Sequence, residues 1–164
     1  KSQRRVMRKN DSLVTILRPF AVEAKTEALF ERHKRRFKGD VPNSIYDFVS
    51  ADANASPTEM MECCVYEQNE LLAVSYFDVG DEAASGVYAM FEPAAAGRSL
   101  GIFTMLKEIE YAAAAGKQFY YLGYSYEGNS FYDYKKRFRG TEMFDWNGNW
   151  VRFQELTETN DVQR

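Results

Sequence analysis

The chain has 164 residues, 45% of them hydrophobic and 15% aromatic, and its formal net charge is −3. This composition excludes a disordered, fibrous or repetitive protein, and it fits a single globular domain with a sizeable core. The sequence contains no run of 18 apolar residues, so no membrane span is predicted, and we expect a soluble, cytoplasmic protein.

Charge is distributed unevenly along the chain. Residues 1–38 hold 12 Lys or Arg against 4 Asp or Glu, whereas residues 39–97 hold 11 acidic residues and no Lys or Arg. A basic segment of this size can bind a phosphate backbone locally despite the negative total. Two interpretations of the segment follow: a binding surface for a polyanion or a carboxylate, or an amphipathic helix with a solvated charged face.

The spacing of apolar residues predicts helices and strands that alternate along the chain, with proline, glycine and asparagine marking where they end. No internal repeat interrupts this order. The first predicted elements are a basic lead-in without a helical stripe (1–13), a strand stopped by Pro19 (13–20), a helix (22–38) ended by Gly39, and a short helical turn capped by Asn43. A polar loop (50–58) then leads to two strands (59–67 and 70–79) joined by Gln68-Asn69, a third strand (85–91) and a helix (99–115) ended by Gly116. The last predicted elements are a strand (118–124), a short basic-aromatic helix (129–138) and a hairpin (142–153) that turns at Asn147-Gly148.

Two adjacent cysteines, Cys63 and Cys64, lie in one predicted strand, so their side chains point to opposite faces. We expect one to be buried in the core and the other to be half exposed. The chain has no other cysteine, and its only histidine is His33. A metal site is therefore not predicted.

The most informative segment is Ser85–Tyr124, where a β-branched and aromatic strand leads into a turn closed by Glu92-Pro93. A helix follows, and its first turn opens at Arg98-Ser99-Leu100-Gly101. The first N–H groups of a helix have no partner inside the helix, so a strand, a short loop and a helix start together predict an anion site. We expect the chemistry of the protein at this place.

The order of the predicted elements indicates an α+β protein with a mixed sheet flanked by helices, as in the N-acyltransferase (GNAT-like) fold. In acyl-CoA enzymes of this fold, the loop carries two closely spaced glycines that let the backbone approach a pyrophosphate. Here Gly101 is present, but Phe103 replaces the second small residue. The loop is thus predicted to bind a phosphate or the 3′ end of a nucleic acid more readily than coenzyme A.

A series of short motifs runs through the chain: Ser85–Tyr88, Phe91-Glu92-Pro93, Arg98-Ser99-Leu100-Gly101, Ile109-Glu110, Tyr121-Leu122-Gly123-Tyr124, Tyr134-Lys135 and Trp150. In this order and spacing they resemble the catalytic domain of the arginyl- and leucyl-tRNA–protein transferases, the bacterial branch in particular. The segment Ser2-Gln3-Arg4-Arg5 is similar to the end of that family's cysteine-containing amino-terminal region.

The resemblance implies that leucine or arginine moves from the 3′ ribose of a tRNA to the α-amine of a protein with an N-terminal Asp or Glu, which marks that protein for degradation. The expected partners are the aminoacyl-tRNA, as co-substrate, and these acceptor proteins; neither a further cofactor nor a membrane is expected. The reaction is aminolysis of an activated ester, which depends mainly on positioning and oxyanion stabilisation. A chain with one histidine offers no credible Ser/His/Asp set, which agrees with that chemistry.

The resemblance also implies roles for individual residues. Arg98, Ser99, Leu100 and Gly101 would hold the terminal phosphate and the adenosine of the tRNA at the helix start. For Ser99, a plain helix N-cap is an equal alternative.

Three residues are predicted to be catalytic. Tyr124 would direct its hydroxyl towards the ester where neighbouring strands separate. Tyr134 and Lys135 would place a phenol and an ammonium group near the acyl group. The alternatives are a core aromatic residue for Tyr124 and a solvated side chain for Lys135.

The predicted acceptor-binding residues are Arg4, Arg5, His33 and Arg36. A guanidinium group matches a carboxylate bidentately, so the arginines suit either an acidic acceptor or the tRNA backbone, with plain surface charge as the alternative. The chain departs from the family on the first helix, where Phe37 stands at a position expected to carry a histidine.

Two other functions stay open. One is an acyl-CoA-dependent N-acetyltransferase, and the other is a non-catalytic relative that binds tRNA or peptide N-termini through the basic helix. In the predicted layout, residues 1–20 form the basic lead-in and first strand, and residues 21–164 form the aminoacyltransferase domain.

Overall fold

The computed structural model describes residues 2–50, 57–126, 128 and 130–152. It divides into two compact units, Lys1–Gly123 and Tyr124–Arg164. In the part of the chain that it describes, no helix has the length and apolarity needed to cross a membrane. The domain layout expected from the sequence, with a boundary after residue 20, stays a prediction.

Helices and strands alternate, largely as the sequence predicts. The α-helices are α1 (Ser2–Lys9), α2 (Ala24–His33) and α3 (Leu100–Ala114). The strands are β1 (Val14–Pro19), β2 (Glu59–Glu67), β3 (Glu70–Val79), β4 (Ala83–Phe91), β5 (Phe119–Tyr121), β6 (Glu142–Phe144) and β7 (Trp150–Arg152). Segments of 3₁₀ helix cover Lys34–Arg36, Ile45–Asp47, Pro93–Arg98 and Phe131–Arg137.

A five-stranded mixed sheet forms the centre of the first unit, in the order β1-β2-β3-β4-β5. Strands β1 to β4 are antiparallel neighbours, and β5 runs parallel to β4. Gln68 and Asn69 join β2 to β3 with both φ angles in the left-handed region, as a two-residue hairpin turn requires. Helices pack on both faces, which confirms the predicted α+β class with a mixed sheet.

The second unit contains the hairpin predicted at Asn147-Gly148, formed by β6 and β7. Trp150, one of the motif residues, begins β7 and is exposed. Phe153, the last residue of the predicted hairpin, lies outside the described residues, as does most of the predicted polar loop at 50–58.

Both faces of the sheet are covered, and this sets the environment of the two cysteines. Cys63 packs in the cluster that includes α1 and α3, and Cys64 packs on the other face with Leu29 and Phe30 of α2. Both thiols are free and buried. The expectation that one would be half exposed is wrong, because a strand covered by helices on both faces has no side that faces solvent.

Helix α1 lies where the sequence predicted a lead-in without a helical stripe. Only Val6 and Met7 of this helix pack against the core, and two apolar side chains are too few to make a visible stripe. Asn10 secures the end of the helix, because its Nδ2 donates to Val6 O at 2.9 Å.

Helix α2 is shorter than the predicted helix at 22–38. Its buried residues are Thr26, Leu29, Phe30 and His33, and the α-helix ends with the last of them. The basic residues beyond it form only a 3₁₀ segment, since none of them is buried.

The short helical turn that follows is capped by Ser44 and not by the predicted Asn43. Ser44 Oγ accepts a hydrogen bond from Tyr46 N at 3.2 Å. Asp47 at the third position of the turn returns a bond to the Ser44 backbone, which completes a capping box.

Strand β5 is much shorter than the predicted strand at 118–124, and it pairs with β4 through three residue pairs. The last pair is Ser85 with Tyr121. Strand β4 then continues to Phe91, and within the described first unit β3 is its only neighbouring strand there. We call the unpaired side of β4 from Gly86 to Phe91 the fork.

A buried polar bridge crosses β4 where the fork begins. Glu108 of α3 is 3% exposed, and its two carboxylate oxygens accept hydrogen bonds from Ser75 of β3 and Tyr120 of β5. Gly86 lies against the bridge, since a Cβ there would stand 2.7 Å from Tyr120 Oη and 3.4 Å from Glu108 Oε2. Burial raises the pKa of Glu108 to about 7, although the two hydrogen bonds act to lower it.

The raised pKa of Glu108 predicts a loss of stability as pH rises. The group has a pKa of about 7 in the folded protein against an ordinary value of 4.5, so the unfolded chain gives up the proton first. The stability that this group contributes is fully present below about pH 4.5 and is lost as the pH rises to about 7. Over that pH range, the free energy of unfolding of the wild type should fall by about 3 kcal/mol relative to that of Glu108→Gln, since each pH unit between the two pKa values contributes about 1.4 kcal/mol.

Urea unfolding of both proteins between about pH 4 and pH 8 measures this difference. The variant serves as its own control for all other titrating groups. Parallel stability curves for the two proteins would show that Glu108 titrates normally in the fold.

Candidate functional site

The end of β4 is the place where the basic 3₁₀ segment after α2 approaches Arg98–Gly101, which we call the donor loop after its predicted role. Phe91 lies there, and a Cβ at Gly101 of α3 would stand 3.8 Å from its Cε1. From the other side, Arg36 Cζ lies 4.3 Å from the centroid of the Phe91 ring. His33 meets the same ring edge-on, with 4.9 Å between centroids. The structure thus gathers Gly101, His33 and Arg36 around one aromatic residue.

The His33 ring supplies a hydrogen-bond partner at the unpaired edge of β4, where a neighbouring strand would otherwise do so. Its Nδ1 lies 3.1 Å from Phe91 N and 3.0 Å from Phe91 O. Burial, together with the charge of Arg36, lowers the pKa of His33. We therefore assign a neutral ring whose Nδ1 accepts the hydrogen bond of the Phe91 N–H. At 4% exposure, the ring is committed to β4.

One position of β4 is left open within the fork. Phe91 directs its N–H towards His33, away from β3, and the following Glu92 N donates to Leu72 O of β3 at 2.8 Å. Backbone direction alternates along a strand, so the Ala89 N–H and C=O also point away from β3. No described strand of the first unit pairs with Ala89 on that side. Ala89 thus offers one donor and one acceptor to an extended ligand.

Helix α3 begins with a residue in a rare backbone conformation. Ser99 occupies the N-cap position with φ 58° and ψ 44°, and its side chain makes no capping hydrogen bond. A left-handed non-glycine residue costs about 1–2 kcal/mol, and such strain is concentrated at functional sites. The hydroxyl is not used by the helix, so the plain N-cap alternative is not supported. The Leu100 and Gly101 N–H groups belong to the first turn, whose amides lack partners inside the helix.

The other residues of the donor loop point in different directions. Arg98 pairs with Glu67 at 2.6 Å and keeps 30% of its side chain exposed. Leu100 is fully buried, so only its backbone can meet a ligand. Phe103 is also buried, and it lines a groove of about 410 Å³ between α1 and α3. Because its ring does not occupy the loop, the steric argument against coenzyme A drawn from the sequence is wrong.

Helix α1 supports the donor loop. Lys9 Nζ donates to Gly97 O, and Asn10 Nδ2 donates to Arg98 O at 3.0 Å. Asn10 is 1% exposed, so this contact is a buried link between the two segments. The amino-terminal helix is therefore a structural part of the loop that precedes α3.

The four predicted acceptor-binding residues fall into two pairs. Arg4 and Arg5 are exposed on α1, which packs on the α3 face. His33 is the last residue of α2, and Arg36 ends the 3₁₀ segment that follows it. Arg36 is exposed, and among the described residues no carboxylate forms an ion pair with it. Only the α2 pair is near the end of β4.

The second unit holds the three predicted catalytic residues. Tyr124 is 82% exposed, which rules out the core alternative. Lys135 Nζ donates to Tyr124 O at 3.1 Å and lies 5.0 Å from the centroid of Tyr132. Lys135 is half-buried, and desolvation lowers its pKa, so it is not a freely solvated side chain. Tyr134 is half-buried in the same 3₁₀ segment.

That 3₁₀ segment is held by its own cap. Ser130 Oγ accepts from Tyr132 N at 3.2 Å, and Asp133 Oδ2 accepts from Ser130 N at 3.1 Å. The capping box places Tyr134 and Lys135 on an ordered segment whose start is fixed. Tyr124 and Lys135 are thereby brought together, whereas their catalytic roles stay predictions.

Phe91 is not among the site residues predicted from the sequence, although it belongs to the Phe91-Glu92-Pro93 motif. The available signal was a bulky aromatic residue at the end of a strand, before the turn. Arg32 of α2 reinforces the place, with its Nε 2.6 Å from Glu92 Oε2. In the described part of the chain, no group of three metal-ligating side chains is present.

A known family matches most of the chain. The family described as "Arginine-tRNA-protein transferase, C terminus" matches residues 25–145. This range contains the end of β4, the donor loop, α2 and the 3₁₀ segment with Lys135.

Curated relatives are also similar over most of this chain. "Aspartate/glutamate leucyltransferase" of Xanthomonas campestris pv. campestris strain B100 is 33% identical over 161 residues, which cover 90% of this chain and 63% of the relative. The protein of the same name from Stenotrophomonas maltophilia strain R551-3 is 32% identical, with 88% and 61% covered. In Xanthomonas oryzae pv. oryzae strain PXO99A, identity is 44% over 75 residues, 46% of this chain and 30% of the relative. The chain thus spans less than two thirds of the length of these relatives.

The geometry of Ser99 predicts that its hydroxyl contributes little to folding. Ser99→Ala should change the free energy of unfolding by less than about 0.5 kcal/mol, because no capping hydrogen bond is lost. Ser99→Val should cost about 1–2 kcal/mol, because a β-branched residue is poorly suited to a left-handed conformation. Urea unfolding compares the two variants with the wild type. A loss of 1 kcal/mol or more in Ser99→Ala would return the hydroxyl to the role of a helix cap.

Proposed function

Because the chain belongs to the family of arginine-tRNA-protein transferase C-terminal domains, we propose that it moves an amino acid from an aminoacyl-tRNA to the α-amine of a protein that begins with Asp or Glu. The aminoacyl-tRNA is the co-substrate, and no further cofactor is proposed. The observation that carries the proposal is the meeting of a helix start, an open strand edge and Arg36 around Phe91. The helix start suits a phosphate, the open strand edge suits an extended acyl group, and Arg36 suits a carboxylate.

The start of α3 is the proposed seat of the tRNA 3′ end. Gly101 leaves room for a nucleotide, and the first amides of the helix donate to a phosphate. The Ser99 hydroxyl, which the helix does not use, and Arg98 add polar contacts. The exposed Arg4 and Arg5 of α1 are proposed to follow the tRNA backbone, because α1 contacts the donor loop and not the α2 side.

Arg36 is the proposed partner of the acidic side chain of the acceptor. Arg36 is exposed, its Cζ lies over the Phe91 ring at 4.3 Å from the centroid, and it has no carboxylate partner in the described chain. A guanidinium held over an aromatic ring by a cation–π contact can still donate to a carboxylate in a bidentate way. His33 supports this arrangement through β4 and the Phe91 ring, without contact to the acceptor.

The chemistry asks little more than alignment. A C–N bond forms between the acceptor amine and the acyl carbon, the C–O bond to the ribose breaks, and the ribose oxygen receives the proton that the amine loses. An N–H group directed at the carbonyl oxygen stabilises the negative charge that develops there. The Ala89 N–H, which points away from β3 into the fork, is proposed for this role.

Tyr124, Tyr134 and Lys135 are proposed to serve the proton transfers of this reaction. Lys135 has a pKa lowered by desolvation, which makes its ammonium group a better proton donor than an exposed lysine. Tyr124 offers an exposed phenol, and its backbone carbonyl oxygen accepts a hydrogen bond from Lys135 Nζ. A phenol and a partly desolvated amine can exchange protons with a leaving hydroxyl group.

The donated amino acid is leucine or arginine. The printed names of the curated relatives specify a leucyltransferase, which favours leucine, whereas the family description specifies arginine. N-acetyl transfer from coenzyme A is the second candidate, since Phe103 leaves the donor loop unobstructed.

Transfer activity with defined acceptors tests the proposal. Labelled leucyl-tRNA and arginyl-tRNA are each incubated with peptides that differ only in their first residue, Asp, Glu or Ala. We expect incorporation into the Asp and Glu peptides about tenfold above the Ala peptide, located at the α-amine by mass spectrometry. Transfer from acetyl-CoA alone would replace the proposal by an acetyltransferase, and no transfer at all would leave a binding function.

The acceptor preference has a matched control on the chain. Arg36→Ala should raise the KM for the Asp peptide about tenfold, equal to about 1.4 kcal/mol, because the carboxylate loses its partner. Arg35→Ala removes the neighbouring exposed arginine and should change the KM little. Equal effects of the two substitutions would indicate a general charge effect and contradict a specific contact at Arg36.

Gly101→Ala should separate stability from donor binding. The fold accommodates the added methyl group, whose closest neighbour would be 3.8 Å away, and alanine favours a helix over glycine by about 1 kcal/mol. Stability should therefore be equal or higher. The KM for aminoacyl-tRNA should rise about tenfold, because the methyl group keeps the nucleotide from the first amides.

Gly80→Ala is the matched control, since it also adds a methyl group in ordinary contact but lies before the opposite end of β4. Thermal unfolding and steady-state kinetics measure both variants. An unchanged donor KM in Gly101→Ala would remove Gly101 from the donor site.

A further inference from the structure

The polar bridge lies where β4 and β5 stop pairing. Tyr120 is opposite Ala84 in the parallel ladder, one pair before the ladder ends. Its hydroxyl donates to Glu108 of α3, which also accepts from Ser75 on β3, the strand on the far side of β4. One carboxyl group therefore joins three elements that surround the closed end of the fork.

Gly86 is a glycine because of this bridge. Its φ lies outside the left-handed region, so backbone freedom does not explain the residue type. Space does, because a Cβ would stand 2.7 Å from Tyr120 Oη and 3.4 Å from Glu108 Oε2. The pairing of β3 with β4 also shifts register at this point, between Tyr76 and Phe77. The strand is thus shaped locally around the bridge.

Burying a carboxyl group that is held by two hydroxyls costs desolvation free energy that apolar core side chains do not cost. Burial is the largest influence on the pKa of Glu108, and only Ser75 and Tyr120 oppose it. Apolar side chains of similar volume usually fill such a place with equal or better stability. A fully hydrogen-bonded buried network, in contrast, fixes one geometry where apolar packing permits several. Such a bridge is therefore better suited to fixing a position than to adding stability.

We propose that Glu108 is a positioning residue that sets the opening between β4 and β5 and aligns α3 against it. The inference rests on the proposed function for what enters this opening, namely the aminoacyl end of the tRNA. Glu108 lies on the same rigid helix as Gly101, about two turns further along. A displaced Glu108 therefore displaces the donor loop at the helix start.

Donor kinetics of bridge variants test the proposal. Tyr120→Phe removes the hydroxyl and keeps the ring, and it should raise the KM for aminoacyl-tRNA about tenfold while kcat and the acceptor KM stay within about twofold. Gly86→Ala should act alike by displacing the hydroxyl. Glu108→Gln keeps the shape, and it can keep both contacts if its amide oxygen accepts from one hydroxyl while its NH2 donates to the other, so it should retain the donor KM of the wild type.

A double variant sharpens this test. In the Tyr120→Phe background, Gly86→Ala should add little further effect, since the hydroxyl at 2.7 Å is gone and the closest remaining atom would be Glu108 Oε2 at 3.4 Å. Tyr111→Phe removes a hydroxyl from the same helix outside the bridge and is the matched control. Full additivity of the two bridge substitutions would contradict a shared mechanism and overturn the proposal.

Amide hydrogen exchange measures, without any substrate, how firmly β5 is held at the opening between β4 and β5. Exchange at Phe119–Tyr121 should accelerate about tenfold in Tyr120→Phe and in Gly86→Ala, and not in Tyr111→Phe. Unchanged exchange overturns the proposal, whether or not the protein transfers amino acids. Accelerated exchange with an unchanged donor KM in an active enzyme also overturns it, because the bridge would then be purely structural. If the wild type transfers nothing, the proposed function fails and exchange alone decides whether Glu108 sets the opening.

Discussion

The ladder between β4 and β5 ends after three residue pairs, and the candidate site depends on this early end. A strand edge left unpaired inside a covered sheet exposes backbone groups that must find other partners. His33 satisfies the Phe91 N–H with a neutral imidazole, and Ala89 keeps its donor and acceptor for the fork. The open edge is thus closed by α2 at one end and available to a ligand beside it.

Helices α2 and α3 pack on opposite faces of the sheet, and both reach Phe91, whose side chain packs against the cluster on the α3 side. This arrangement divides the basic amino-terminal segment. Its α1 part is joined to the donor loop through Lys9 and Asn10, whereas its α2 part ends in Arg36 on the Phe91 ring. A single run of positive charge in the sequence therefore supplies two surfaces, one suited to a polyanion and one suited to a carboxylate.

Local patterns made much of the fold predictable. The β2–β3 hairpin follows from two strands joined by Gln68-Asn69, and α3 follows from a long apolar period that ends at Gly116. Helix α1 could not be predicted in this way, because two partly buried apolar side chains carry no period. The burial of Cys64 depends on α2, which covers the second face and leaves no trace in the strand itself.

The candidate site also has features that follow from local sequence patterns and features that depend on tertiary packing. The donor loop is a local motif that a sequence can indicate, and its role stays a prediction, whereas its approach to Arg36 and His33 through Phe91 arises from tertiary packing and was not predicted. The Glu108 bridge joins residues 33 and 12 positions away, so no local spacing announces it. Phe103 shows the reverse error, because a motif comparison placed its side chain in the loop while the core holds its ring.

In the proposed function, one opening beside the end of β4 receives the aminoacyl end of a tRNA. An amide NMR titration tests this most directly, with a short RNA that ends in CCA and carries an amino acid through a stable 3′-amide. We expect the largest shifts at Gly101, Phe91 and Ala89, with an affinity that weakens as salt is added. Largest shifts at the groove between α1 and α3, with Ala89 and Gly101 unmoved, would contradict it.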